Sequence, residues 1–159
     1  MEISGENIAY VMKVLRNNAK YSRTFAQKII YLVTHDDTFE PYQNGMYSPD
    51  VQRILQYLEH NYNKIDEWSE NVDKNFKRKV DVLIEYIKQN KLSTYEIADI
   101  SKLDYLINVL NVKPNLTNNE FVIKCDVLGW QNLRYNKNLD KLIEHLDNIN
   151  RILRDSCHW

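Results

Sequence analysis

Pro41-Tyr42-Gln43-Asn44-Gly45-Met46-Tyr47-Ser48-Pro49-Asp50 packs turn-forming residues, aromatic rings and a helix start into one short run. Asn44-Gly45 reads as the turn of a small hairpin, with Thr38-Phe39 and Met46-Tyr47 as its short strands. Ser48-Pro49-Asp50 reads as a helix N-terminus. Serine supplies the capping oxygen, proline has no N–H to lose at the first helical position, and aspartate complements the helix dipole. Val51, Ile54, Leu55 and Leu58 continue at the i, i+3, i+4, i+7 spacing of a helix that buries one face.

Helical patterning extends outward from this joint in both directions. Upstream, Phe25, Ile29, Leu32 and Val33 face one side of a helix that Ser22 or Thr24 can cap. Before that, Ile8, Val11, Met12 and Leu15 mark a first helix ended by Asn17-Asn18. Downstream, the polar interval Asn61 to Asn75 carries Ile65, Trp68 and Val72 and reads as a short helix or a second wing-like hairpin. It divides the chain into sub-halves 1–72 and 73–159. Phe76, Val80, Leu83, Ile84 and Ile87 define a long helix. Ser93-x-x-Glu96 is a capping box opening the next, and Thr117-x-x-Glu120 repeats the pattern. Lys113-Pro114 lies between as a breaker, and Gly129 is placed to stop the helix containing Val122, Ile123, Val127 and Leu128. Tyr135, Leu139, Leu142, Leu146, Ile149 and Leu153 form a heptad-like stripe on the last helix, buried against the chain's own helices or across a dimer axis. In the dimer reading Leu139, Leu142, Leu146, Ile149 and Leu153 are the interface.

The expected fold is mainly α, a single compact domain over 1–159 with about six to seven helices. A small β-hairpin near residues 38–47 gives the N-terminal half a winged-helix-like order. Only three glycines and three prolines occur among 159 residues, which favours long helices and short connections over a many-stranded sheet. The formal net charge of −1 excludes a uniformly basic nucleic-acid binder but leaves room for a local basic face. Cys125 and Cys157 are too few for a disulfide scaffold and lack metal-ligand spacing. No secretory signal begins the chain, and no apolar run approaches the roughly 20 residues that span a bilayer, so a cytoplasmic location without membrane contact is expected.

The strongest candidate for binding is a basic run. Between Met12 and His35 there is no acidic residue, while Lys13, Arg16, Lys20, Arg23 and Lys28 are all present. Asn, Ser, Thr, Tyr and Gln residues interleave them, side chains that hydrogen-bond phosphates or base edges. In a helix-turn-helix reading the helix from Pro49 to His60 would be the reader, offering Asp50, Gln52, Arg53 and Gln56. The alternative is a solvated face with no specific role. Tyr31, Phe39, Tyr42, Tyr47 and Tyr57 could stack on bases or a peptide, but rings flanking a turn more often close a core. His35-Asp36-Asp37 has poor geometry for a metal, and Cys157-His158-Trp159 is too short a tract to bind zinc alone. No G-x-G-x-x-G, P-loop, G-x-S-x-G or H-E-x-x-H pattern occurs. Neither an enzyme, a cofactor, a metal nor a small-molecule substrate is therefore expected.

Phe25-Ala26-Gln27-Lys28-Ile29-Ile30-Tyr31-Leu32, followed by the run from Phe39 to Val51, resembles the YwgA-like proteins and the related Panacea (SocA-like) domains. Gln27, Lys28, Tyr31, Tyr42, Gly45, Tyr47, Ser48 and Pro49 match the family pattern, and Met46 stands where a proline is usual. The segment from Thr94 to Leu106, and the Lys113-Pro114 break before a capped helix, are similar to the second helical half of YwgA-like proteins. The resemblance implies a compact, mostly helical module and, through the Panacea proteins, a role as antitoxin or proteolysis adaptor; YwgA-like members occur in archaea, phages or mobile elements. It brings no catalytic residues. The expected function is a non-enzymatic macromolecule-binding module, regulatory, antitoxin-like or adaptor, with a protein partner or DNA and a possible homodimer. The alternative is a sequence-specific DNA-binding regulator of winged-helix type.

Overall fold

The computed structural model describes residues 3–156, so the expectation for Cys157-His158-Trp159 lies outside the described residues. The chain runs α1 (Gly5–Asn17), α2 (Arg23–Thr34), β1 (Glu40–Tyr42), β2 (Gly45–Tyr47), α3 (Pro49–Glu59), α4 (Tyr62–Ser69), α5 (Lys74–Gln89), α6 (Thr94–Asp104), α7 (Asn119–Val127), α8 (Gln131–Arg134) and α9 (Leu139–Ser156). A π-helical turn, Tyr105–Val109, prolongs α6. The mainly helical class is as expected, but the helices are more numerous. Asn61–Asn75 contributes α4 rather than a hairpin, and the short α8 follows Gly129.

Every residue from Phe25 to Val33 is buried, so α2 is surrounded on all sides. It packs against α1, α3, α5, α6 and β2. One hydrophobic cluster runs from Ile8 through Leu153, and α2 carries it across both expected sub-halves. The hairpin pairs Glu40 with Tyr47, Pro41 with Met46 and Tyr42 with Gly45. Its turn falls on Gln43-Asn44, one position before the expected Asn44-Gly45. Gly45 instead opens β2 with φ +108, a conformation glycine adopts without the penalty a side chain brings. Thr38-Phe39 precedes the ladder: Phe39 N–H bonds the Asp36 carbonyl in a turn, and Thr38 N–H bonds the Asp36 carboxylate.

The capping signals translate well, with one exception. Ser22, Ser48 and Ser93 each accept a backbone N–H at their helix starts, and Ser93 with Glu96 completes both halves of the capping box. At α7 the cap is Asn118, not Thr117. Thr117 gives its N–H and hydroxyl to the Asn115 side chain in an Asx turn, which leaves Asn118 to accept from Glu120 N–H. Gly129 (φ +75) follows α7 as expected, and Trp130 N–H reaches back to the Cys125 carbonyl. Cys125 is a fully buried core thiol.

The α9 stripe is internal. Leu139, Leu142, Leu146, Ile149 and Leu153 are all buried within the single chain, where α9 packs on α5 and α6. They are therefore core residues and not an outward dimer face. Tyr135 is outside the helix, which begins at Leu139, after an Asx turn in which Asn138 N–H bonds the Asn136 side chain. Leu146→Ala is expected to destabilise the monomer by about 3 kcal/mol through lost burial and a residual cavity. Urea unfolding would show this as a lower midpoint, and an unchanged midpoint would contradict the internal placement.

Candidate functional site

The central helix does more than bury apolar residues. On α2, Gln27 and Lys28 are also buried, at 1% and 2% exposure, and both reach the hairpin. The Gln27 amide clasps the Ser48 backbone at two points: its NH2 donates to the Ser48 carbonyl at 2.9 Å, and its oxygen accepts Ser48 N–H at 2.9 Å. Lys28 Nζ donates to the Met46 carbonyl at 2.9 Å. From α6, Ser101 Oγ accepts Met46 N–H at 3.4 Å. Trp130 Nε1 donates to the Tyr42 carbonyl at 2.7 Å from the other side. The hairpin is thus tied down by α2, α6 and the segment after α7 and does not project as a free wing.

Deeper along α2, Tyr31 and the helix-ending His35 converge on Asp104. Tyr31 donates its hydroxyl to Asp104 Oδ2 at 2.6 Å, His35 Nε2 lies 2.8 Å from the same oxygen, and Asn108 donates to Oδ1 at 2.7 Å. Asp104 has no exposed surface. Burial and the adjoining carboxylate raise the Tyr31 phenol far above its usual range. Tyr31 and Phe39 meet edge to face and are core rings. Tyr42 and Tyr57 are exposed; Tyr42 packs its edge on Tyr47, and Tyr57 stacks on Trp68.

The tethered turn leaves a hollow on each side. The first, about 440 Å³, is lined by Arg23, Thr24, Gln27, Lys28 and Gln52 and by the hairpin from Tyr42 to Gly45 with Tyr47. The second, about 750 Å³, is lined by Ser22, Thr24, Gln43, Asn44, Thr94, Tyr95, Ala98, Asp99, Lys102, Gly129, Trp130 and Asn132. Thr24, Gln43 and Asn44 belong to both, so together they form a groove divided by the turn. Amides, hydroxyls and aromatic rings dominate its walls. Tyr95 stands at its edge, 84% exposed.

The basic run is not assembled into one surface. Lys13 pairs with Asp66 at 3.5 Å, and Arg16 covers the Tyr62 ring, both in a hollow between α1 and α4. Lys20 lines a separate hollow with Phe25, Leu92 and Tyr95. Arg23 makes a bidentate contact with Glu59, which also receives the Tyr21 hydroxyl. The guanidinium holds the Glu59 carboxyl below the usual carboxylate range. Lys28 is internal. On α3, Arg53 pairs with Asp50, Gln56 is exposed, and Gln52 accepts from the Gln27 amide at 3.3 Å. The reader helix thus presents a charge-matched face. Among the described residues no three potential ligands cluster as a metal site, and no helix is long and apolar enough to cross a membrane.

Burial, reinforced by the neighbouring Lys102 ammonium, pushes the Lys28 pKa down to about 8. Below pH about 8 the ammonium is charged in both folded and unfolded chains, so its burial cost is constant. As pH rises from about 8 toward the unfolded value near 10.5, the unfolded chain holds more protons than the folded one, and stability increases. Lys28→Met is expected to remove this gain, which amounts to roughly 1 kcal/mol per pH unit over that window. Urea unfolding of both proteins between pH 7 and 10 checks it; parallel pH profiles would contradict the assignment.

Gln43 and Asn44 belong to the turn the sequence marks, whereas Tyr95, Asp99, Lys102, Trp130 and Asn132 line the groove but are not singled out by it. Of the latter only Trp130, placed immediately after the helix-stopping Gly129, carries a local signal. Comparison with protein-family models, curated proteins and solved structures finds no match to this chain.

Proposed function

We propose that this protein is a non-enzymatic binding module, regulatory, antitoxin-like or adaptor in role, that holds an extended segment of a protein partner in the groove around its hairpin turn. The observation that carries this reading is the groove itself. Two hollows share the turn as a common wall, and their amide, hydroxyl and aromatic lining suits backbone hydrogen bonding along a polypeptide. The buried tethers from Gln27, Lys28 and Trp130 hold that wall in place before a partner arrives, which lowers the ordering cost of binding. The DNA-binding alternative has less support, because Lys13, Arg23 and Arg53 each face a carboxylate and Lys28 borders only the hollow beneath the turn rather than an outer helix face.

The test is affinity capture from the native cell, with protein and nucleic acid both identified in the eluate. Wild type is expected to retain a protein partner, and Thr24→Arg, which places a long side chain in the shared rim, to lower its recovery at least tenfold. A partner retained equally by Thr24→Arg would overturn the groove reading. Capture of DNA that falls steeply as salt rises would replace it with the nucleic-acid reading.

A further inference from the structure

We infer that the smaller hollow, beneath the hairpin turn, is a subsite for a carboxylate group of the partner segment, an assignment that rests on the peptide-groove reading above. Its lining contains two cationic residues, Arg23 and Lys28, and no aspartate or glutamate. The Arg23 charge is already matched by Glu59, whose oxygens lie 2.8–3.0 Å from the guanidinium. One positive charge, on Lys28, is left without a counter-ion among the described residues.

The hydrogen bonding points the same way. An ammonium has three donors, and Lys28 gives one, to the Met46 carbonyl. The Gln52 oxygen accepts from Gln27, which turns the Gln52 NH2 away as a donor with no partner among the described residues. The exposed Thr24 hydroxyl adds a third donor type at the rim. In an unmodified polypeptide, the group that accepts from ammonium, amide and hydroxyl donors and supplies one negative charge is a carboxylate. In the larger hollow Lys102 is matched by Asp99 at 3.2 Å, so that side is neutral and suits the uncharged remainder of the segment. Burial leaves the Lys28 charge poorly screened by water, which strengthens its attraction for a bound anion.

The experiment is a titration of isotope-labelled protein, followed by amide chemical shifts, with N-acetyl-trialanine acid, its C-terminal amide, N-acetyl-glutamate with a blocked α-carboxyl, and inorganic phosphate. The acid is expected to shift the Gly45 backbone amide and the Gln52 side-chain amide saturably, and the peptide amide to bind at least tenfold more weakly. Binding of the glutamate probe as tight as that of the acid assigns a side-chain carboxylate as an allowed source; binding of the acid alone assigns the chain terminus. Lys28→Met should abolish the preference for the acid over the amide. Gln52→Glu, on the half-exposed face of α3, should do the same if the first variant fails to fold. Equal affinity for acid and amide in the wild type overturns the assignment, as does tighter binding of phosphate or a preference that survives both variants. If that preference is absent while Thr24→Arg still blocks partner capture, the carboxylate subsite falls and the groove reading stands.

Discussion

Asp104→Ala is expected to cost about 4 kcal/mol of folding stability. The carboxylate is fully buried and accepts from or pairs with three groups, Tyr31, His35 and Asn108. Removing it leaves the Tyr31 hydroxyl and the Asn108 amide without their partner inside the protein, and each donor so stranded typically costs about 1–3 kcal/mol. Asp104→Asn separates this loss from simple cavity formation. Its carbonyl oxygen can still take the Tyr31 and His35 bonds, and the Asn108 amide can flip to accept from the new NH2. The asparagine variant should therefore lose only about 1–2 kcal/mol. Urea denaturation of the three proteins at one pH measures the order, and equal losses for alanine and asparagine would contradict the hydrogen-bonded hub.

Gly45→Val is expected to be comparably severe, about 4 kcal/mol, for two separate reasons. Gly45 has φ +108, which a β-branched residue reaches only with strain. In addition, a Cβ at this position would come within 2.7 Å of Ser101 Oγ, 3.0 Å of Lys28 Cε and 3.1 Å of the Ala98 carbonyl oxygen. The Ala98 carbonyl is helical backbone and cannot yield without moving α6. The hairpin would have to lift off α2 and α6, breaking the Lys28 and Ser101 contacts to Met46. Thermal unfolding should show a markedly lower midpoint, with weakened capture of the proposed partner at temperatures where the variant still folds. A wild-type midpoint would mean the turn is not seated against α6 as described.

The elements that could be read from the sequence are those whose signals are local. Ser48-Pro49-Asp50 and Ser93-x-x-Glu96 each set a helix start through bonds within one turn, so neighbouring residues suffice to find them. Thr117 misled because its hydroxyl is drawn to the Asn115 side chain while Asn118 accepts the Glu120 N–H that a Thr117 cap would have taken. The first residues of α9 misled because apolar spacing continues back to Tyr135 while the backbone there makes an Asx turn. The site was less legible than the fold. Lys28 in a basic run reads as a solvated charge; its burial follows from α6 and the hairpin closing over α2, contacts between residues far apart in sequence. Asp104 reads as one more charge on an ordinary helix, and only the packing of α2 on α6 brings Tyr31 and His35 to it.

Residue-resolved mapping of a captured partner on the labelled protein tests the central claim most directly. Binding through the groove predicts the largest amide shifts at Thr24, Gln43, Asn44, Tyr95 and Asn132, on both sides of the turn. Shifts confined to Lys13 and Arg16 on α1, or to Arg53 and Gln56 on α3, with the turn unaffected, would contradict it.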